Sequence, residues 1–201
     1  TSWDQKLVGS ASKIYDGAIF KIWYEGNDGS QWRIGYATSS SGLNWVKNPS
    51  FVVDKIDNFN NFNVHDPKVI YKDDKYKMWY AASNSSINSI HFNYTESNDG
   101  ILWIPSTVNI MPVSLSWEDD VISFPYTRYF NNGYKMWYAA RGSLNGSSRW
   151  RIGYATSTDG INWTPYANNP VLTPTQSWEG SDVDGASVLY DGTTYEIFYH
   201  G

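Results

Sequence analysis

The sequence predicts an all-β protein, a β-propeller of four-stranded antiparallel blades, with about three and a half blades in the chain. Three observations carry that expectation. The stretch Trp150–Trp163, WRIGYATSTDGINW, has a near copy at Trp32–Trp45, WRIGYATSSSGLNW, and a worn one at His91–Trp103, HFNYTESNDGILW. Each copy follows a second signature, KIWYEG at 21–26 and KMWYAA at 77–82 and 135–140, and a fourth version, EIFYHG, stands at 196–201. Both landmarks keep one period. Trp23, Trp79, Trp137 and Phe198 are 56, 58 and 61 residues apart, and Trp45, Trp103 and Trp163 are 58 and 60 apart. Repetition at that length, in units with two faces to bury, is what blades stacked around an axis require, whereas a β-sandwich has no need of it.

Within a unit, KMWY and RIGYAT are short aromatic and β-branched runs bounded by turn residues, the composition of strands. Ser41-Gly42, Asp99-Gly100 and Asp159-Gly160 suit the positive-φ positions of a hairpin turn. Asp16-Gly17, Asp73-Asp74, Asn132-Gly133 and Asp191-Gly192 supply a second turn, between a first strand and the WY strand. The strands are expected near 10–15, 19–24, 32–38 and 43–47, then 64–71, 75–81, 90–96 and 101–104. The next set is 121–129, 134–140, 149–156 and 161–164, and the chain ends with 183–190 and 194–200. No twelve-residue window carries apolar spacing at 3.6, so no helix is expected. These runs group into units 1–50, 51–110, 111–175 and 176–201 of a single domain, 1–201. Tyr36, Tyr94 and Tyr154 are expected at equivalent positions, and Trp45, Trp103 and Trp163 to be largely buried between blades.

An apolar fraction of 41% in 201 residues suffices for a substantial core. With 11 Trp and 16 Tyr, aromatic usage is far above ordinary; most of it is assigned to blade packing and the rest to rings on which sugars stack. The net charge is −5 and no basic run exists, so nucleic acid and anionic membrane are poor partners. Without cysteine there are neither disulfides nor thiolate metal sites, and no cluster has metal-ligand spacing, so no metal or other cofactor is expected. No apolar run approaches the length of a membrane-spanning helix. Thr1 in place of Met fits a chain from which a leader or upstream segment has been removed, so the compartment stays open, with an extracytoplasmic one as the expectation. Three and a half units do not close a ring, and self-association as a dimer is the simplest expected completion.

The unit Y-D-G-x-Y-K-M-W-Y…R-I-G-Y-A-T-S-x-D-G-I-N-W…N-P-V-L, with W-(D/E) ahead of it, resembles the repeat of the five-bladed-propeller glycosidases and their relatives. Among these are arabinanases, β-xylosidases, family 32 fructosidases and mannoside phosphorylases. The resemblance runs the whole chain and is fullest over Val121–Leu172. It implies first strands lining a central funnel, with carboxylates on them that cleave a glycosidic bond.

Aligned on Tyr15, Tyr71, Tyr129 and Tyr190, the first strands place Ala11, Pro67, Pro125 and Ala186 in one column. The column before it holds Ser10, Asp66, Phe124 and Gly185, and the next one back Gly9, His65, Ser123 and Asp184. Asp66-Pro67 matches the Asp-Pro with which first strands of the family often begin, where the aspartate serves as base or tunes its partner. The family's general acid, a Glu in a middle blade, has no match in Ser123-Phe124-Pro125. Glycoside hydrolysis needs two carboxyl groups at one bond, one of them protonated. Asp66, Asp184 and Asp120 are the candidate catalytic carboxylates, Asp66 and Asp184 facing each other across the axis. His65, Arg128, Trp117 and Trp178 are the candidate substrate contacts. Asp4, Glu118 and Glu179 recur in one column and read as structural. Three readings stay open: a glycosidase or phosphorylase, a non-catalytic propeller that binds glycan or protein, and a piece of a larger propeller.

Overall fold

Strands form where most of the aromatic and β-branched runs fall. In this computed structural model the residues described are 2–54, 62–84, 89–104, 108–112, 114–118, 121–144 and 147–201. The regular elements among them are strands and one short 3₁₀ turn, Ser177–Glu179, with no α-helix. The chain divides into two compact units, Thr1–Ile87 with Asn93–Val108, and Asn88–Phe92 with Asn109–Gly201.

In the first unit, β1 (Leu7–Tyr15), β2 (Phe20–Asn27), β3 (Trp32–Ser39) and β4 (Val46–Lys47) form an antiparallel sheet in sequence order. β5 (Phe62–Lys72) pairs antiparallel with β6 (Lys75–Asn84), and β7 (Ser89–Ser97) lies next to β6. In the second unit, β8 (Val121–Phe130), β9 (Gly133–Leu144), β10 (Ser147–Ser157) and β11 (Thr164–Pro165) repeat the order of the first sheet. A single parallel bridge joins Ile90 to Val121. β12 (Asp184–Tyr190) and β13 (Tyr195–His200) form a closing antiparallel pair.

The fourth strands are shorter than expected. Residues 43–45 and 161–163 are outside the ladders, and no strand is formed at 101–104. The cause is local. The Asp99 carboxylate accepts the N–H groups of Ile101 and Leu102, both at 2.8 Å, and Asp159 does the same for Ile161 and Asn162. An Asx turn of this kind competes with the ladder for the backbone donors. The glycines of these turns have φ of +77° to +80°, as the hairpin reading requires. The turn after β8 lies one residue earlier than expected, with positive φ at Asn131 and Asn132.

Packing repeats with the sequence. The WY tryptophan meets the tyrosine of the following strand at centroid distances of 5.3, 5.3 and 5.1 Å in Trp23–Tyr36, Trp79–Tyr94 and Trp137–Tyr154, so these tyrosines are equivalent. Trp23, Ile34, Val64, Val69, Met78 and Tyr80 centre the core of the first unit, and Trp137, Ile152, Val183 and Val188 that of the second. Trp103 and Trp163 are buried as expected, each donating its indole N–H to the carbonyl of Gly100 or Gly160. Trp45 is only half-buried: it lines an open cavity of about 360 Å³ beside Ile22, Tyr24, Ala37 and Lys47.

A second repeated device anchors the WY tyrosines. Asp4 accepts the Tyr24 hydroxyl at 3.0 Å, Glu118 that of Tyr138 at 2.7 Å and Glu179 that of Tyr199 at 2.7 Å. The preceding Trp3, Trp117 and Trp178 rings lie 5.6, 6.2 and 5.4 Å from the same tyrosines. Glu118 and Glu179 also take backbone N–H groups of Ser114, Leu115 and Gln176. The recurring acids are thus structural. The glycine of RIGYAT follows from this packing: a Cβ on Gly35 would stand 2.4 Å from Trp3, and one on Gly153 2.5 Å from Tyr138.

Candidate functional site

Each first strand carries the same irregularity. Its register slips between Gly9 and Ala11, His65 and Lys68, Ser123 and Tyr126, and Asp184 and Ser187. At three of the four slips one residue takes a left-handed backbone: Asp66 with φ +50°, Phe124 with +53° and Gly185 with +60°. Bulges re-aim side chains and sit beside functional sites. Asp tolerates this conformation better than most residues, and Pro67 falls where no ladder donor is needed.

Asp66 is 7% exposed. Its Oδ1 accepts the Ser10 hydroxyl at 2.7 Å, and its own backbone N–H donates to Glu25 Oε2 at 3.0 Å. Glu25, on β2, is half-buried and pairs in register with Gly9. A Cβ on Gly9 would lie 2.6 Å from Glu25 Oε1, so glycine there leaves room for the carboxyl. Burial pushes the Glu25 carboxyl up to about 7 and the charge of Asp66 adds to the rise, while the Asp66 N–H and the Ser10 hydroxyl pull it down. Next to Asp66, the His65 ring nitrogen Nε2 lies 2.6 Å from Ser83 Oγ and the ring lies 5.9 Å from that of Trp32. Burial holds this imidazole below its ordinary value, with Asp66 acting the other way. Two carboxyl groups in one place, Glu25 held above its ordinary value, are the equipment of acid–base chemistry.

Glu25 was not among the residues singled out from the sequence. A signal existed: KIWYEG has an acid where both KMWYAA copies have Ala81 and Ala139, and where the last unit has His200. The structure pairs these columns as Gly9–Glu25, His65–Ala81, Ser123–Ala139 and Asp184–His200, each just before the bulge. There the repeat stops repeating.

The other candidates divide. Asp184 belongs to the second unit, with 26% of its side chain exposed and His200 Nδ1 3.3 Å from its Oδ1. Asp120 lies outside the described residues. Arg128 is exposed opposite Lys135, two residues past the bulge and toward the β8–β9 turn. Trp117 is 3% exposed and stacked on Tyr138, which corrects its reading as a sugar contact, since protein already covers its faces. Trp178 is 60% exposed.

Comparison with known proteins agrees with the repeat. The chain resembles the five-bladed-propeller glycosidase superfamily and its mannoside phosphorylases. The profile of a family described as beta-1,4-mannooligosaccharide phosphorylase matches residues 6–98, the stretch that contains Ser10, Glu25 and Asp66. A solved glycoside hydrolase superposes with a TM-score of 0.81 at 16% identity, covering 96% of this chain and 65% of its own. The beta-1,2-mannobiose phosphorylase of Listeria innocua gives a TM-score of 0.78 at 14% identity, covering 100% and 56%. Identities this low establish the fold. In sequence, the uncharacterized protein Rv1502 of Mycobacterium tuberculosis (strain ATCC 25618 / H37Rv) is 26% identical over 178 residues, 81% of this chain and 57% of that protein. The chain therefore spans less than two thirds of the length of each of these relatives.

Proposed function

We propose that this chain is a carbohydrate-active propeller that cleaves a glycan by acid–base chemistry in a central funnel. The carrying observation is Asp66, held at a left-handed bulge beside a second carboxyl, Glu25. In this reading Asp66 takes the proton of the entering nucleophile, with Asp184 and Asp120 as the other candidate carboxylates and His65 and Trp178 as candidate sugar contacts. The phosphorylase family profile over 6–98 and the hydrolase and phosphorylase folds support glycosidic-bond cleavage, by water or by phosphate.

The four-stranded sheet β1–β4, the strands β5–β11 with a single bridge between β7 and β8, and the pair β12–β13 are the pieces from which this reading builds three blades and a half. Apolar surface left open supports self-association. The first unit has the cavity at Ile22, Tyr24 and Trp45, and the second exposes Leu189 at 49% and Phe198 at 58%. Light scattering at low micromolar concentration is expected to show a dimer, and a 22.9 kDa monomer would refute it.

The test of the function is a screen of aryl glycosides and of arabinan, xylan and mannan oligosaccharides, with and without inorganic phosphate. Turnover that Asp66→Asn abolishes is the expected result. Binding without turnover, unaffected by Asp66→Asn, would favour a non-catalytic glycan-binding propeller.

A further inference from the structure

We propose that Glu25 is a positioning residue, whose carboxyl takes the one backbone donor of the Asp66 bulge and so fixes where the Asp66 carboxylate stands. This deepens the function proposed above and rests on it.

The bulge itself creates the need. The register of β5 on β6 passes from His65–Ala81 to Lys68–Trp79, which leaves Asp66 and Pro67 without a ladder partner. Proline has no N–H, so this pair carries a single backbone donor, that of Asp66. Asp66 is 7% exposed, and a buried N–H left unmet costs its full desolvation. Glu25 Oε2 accepts it at 3.0 Å. At the other end of the residue, the Ser10 hydroxyl donates to Oδ1 at 2.7 Å. Main chain and side chain of Asp66 are thus both held from the first sheet. A carboxyl oxygen accepts an N–H whether or not the group carries a proton, so the contact does not depend on where Glu25 titrates.

The path of the side chain is shaped for this contact. Glu25 stands on β2 and reaches β5 past β1, where its register partner is Gly9. A Cβ on Gly9 would meet Glu25 Oε1 at 2.6 Å, Cδ at 3.5 Å and Cγ at 3.6 Å, so the glutamate lies along the glycine. The corresponding pairs elsewhere are His65–Ala81, Ser123–Ala139 and Asp184–His200, with no glycine on the first strand and no acid on the second. In the next column stand Ser10, Asp66, Phe124 and Gly185, of which Asp66 alone is an acid. Glycine and glutamate therefore occur together in the sheet that bonds to the one bulge with a carboxylate. Attachment of β5 to β1 has a tie of its own: the Val69 N–H donates to Ser12 Oγ at 2.9 Å, and Ser12 is 2% exposed. Loss of Glu25 frees the bulge and leaves the strands in place.

The contact matters because a base acts only within hydrogen-bond reach of the proton it takes. Displacing a reacting group by about 1 Å can cost about a hundredfold in rate.

Two kinds of measurement on the full chain test this. The first needs no substrate: hydrogen exchange of the Asp66 amide, followed by NMR. Exchange is expected to be about tenfold or more faster in Glu25→Ala than in the parent, and to stay slow in Glu25→Gln, which keeps an oxygen for the N–H. Equal exchange in the parent and Glu25→Ala would overturn the proposal. The second uses the glycoside found by the screen. Glu25→Ala is expected to lower kcat about a hundredfold with KM changed less than about threefold, and Glu25→Gln to lower kcat less than about tenfold. Equal losses in the two variants would assign the effect to the charge or proton of the carboxyl, and a change in KM alone would assign it to binding; either overturns the proposal. Gly9→Ala displaces the carboxyl without removing it, because Oε1 is the free end of a flexible side chain and Gly9 lies outside the left-handed region. It is expected to lower kcat in the parent and to add nothing in Glu25→Ala. Losses that multiply would overturn the proposal. Failure to cleave any glycoside would overturn the proposed function and the positioning role with it, whereas fast Asp66 exchange in a parent that does cleave would overturn the positioning role alone.

Discussion

Trp45 and Trp103 occupy the same column of two successive repeats within the first compact unit, yet the structure predicts very different costs for their removal. Trp103 is 8% exposed, meets Trp23 edge-on at 6.3 Å and donates its N–H to the Gly100 carbonyl at 2.9 Å. Trp103→Ala empties a closed site, which costs about 3–5 kcal/mol for a large aromatic residue. For a chain of this size each kcal/mol moves the melting temperature about 2–4 °C, so a drop of about 6–20 °C is expected. Trp45 already borders an open cavity, so Trp45→Ala creates little new void and should cost under about 1.5 kcal/mol. Trp103→Phe separates the ring from its polar handle. The Gly100 carbonyl still accepts Trp23 Nε1–H at 2.8 Å, so only about 0.5–1.5 kcal/mol should be lost. Calorimetry and urea titration of the three variants decide it. Equal destabilisation by Trp45→Ala and Trp103→Ala, or a Trp103→Ala protein melting within a degree of the parent, would refute the reasoning.

Asp66→Asn keeps the shape of the bulge residue but cannot take a proton, so turnover in the glycoside assay should fall about a hundredfold or more. Asp184→Asn should do likewise, and full turnover in both variants would move the chemistry elsewhere. Tyr138→Phe removes the hydroxyl that Glu118, 2% exposed, accepts at 2.7 Å, and should cost about 1–3 kcal/mol by urea titration. Glu25→Gln should raise the melting temperature at pH 8 and leave it unchanged near pH 4. Between the ordinary carboxyl value of 4.5 and about 7 the folded chain keeps a proton that the unfolded chain releases, so stability falls as pH rises through that window and stays lower above it. A pH-independent gap between the two proteins would refute the linkage.

What the sequence made legible is what repeats. The period placed the WY strands and the hairpins, because a unit that must stack on its neighbours keeps the same aromatic at the same depth. Shortening of the fourth strands escaped because the turn aspartates were read for their backbone preference, not for the two N–H groups that each carboxylate removes from the ladder. Trp117 was assigned to sugar because Trp as a residue type suits both a binding platform and a packed anchor. Only its stacking on Tyr138, beside an acid that recurs in three units, separates the two.

Glu25 escaped for a deeper reason. It sits inside the signature that identifies the fold, and its meaning comes from Asp66, 41 residues away on another strand. A repeat constrains the positions that pack and leaves free those whose side chains meet neither core nor neighbour. The column pair before the bulge varies although Ala81, Ala139 and Ser123 are buried there: glycine and glutamate, histidine and alanine, serine and alanine, aspartate and histidine. Structural demands there are the same in every unit, since the same slip follows each pair, so they do not explain why one unit carries a glutamate with a glycine opposite to make room for it. A demand peculiar to that unit does, and the carboxyl of Asp66 is the group beside it that makes one.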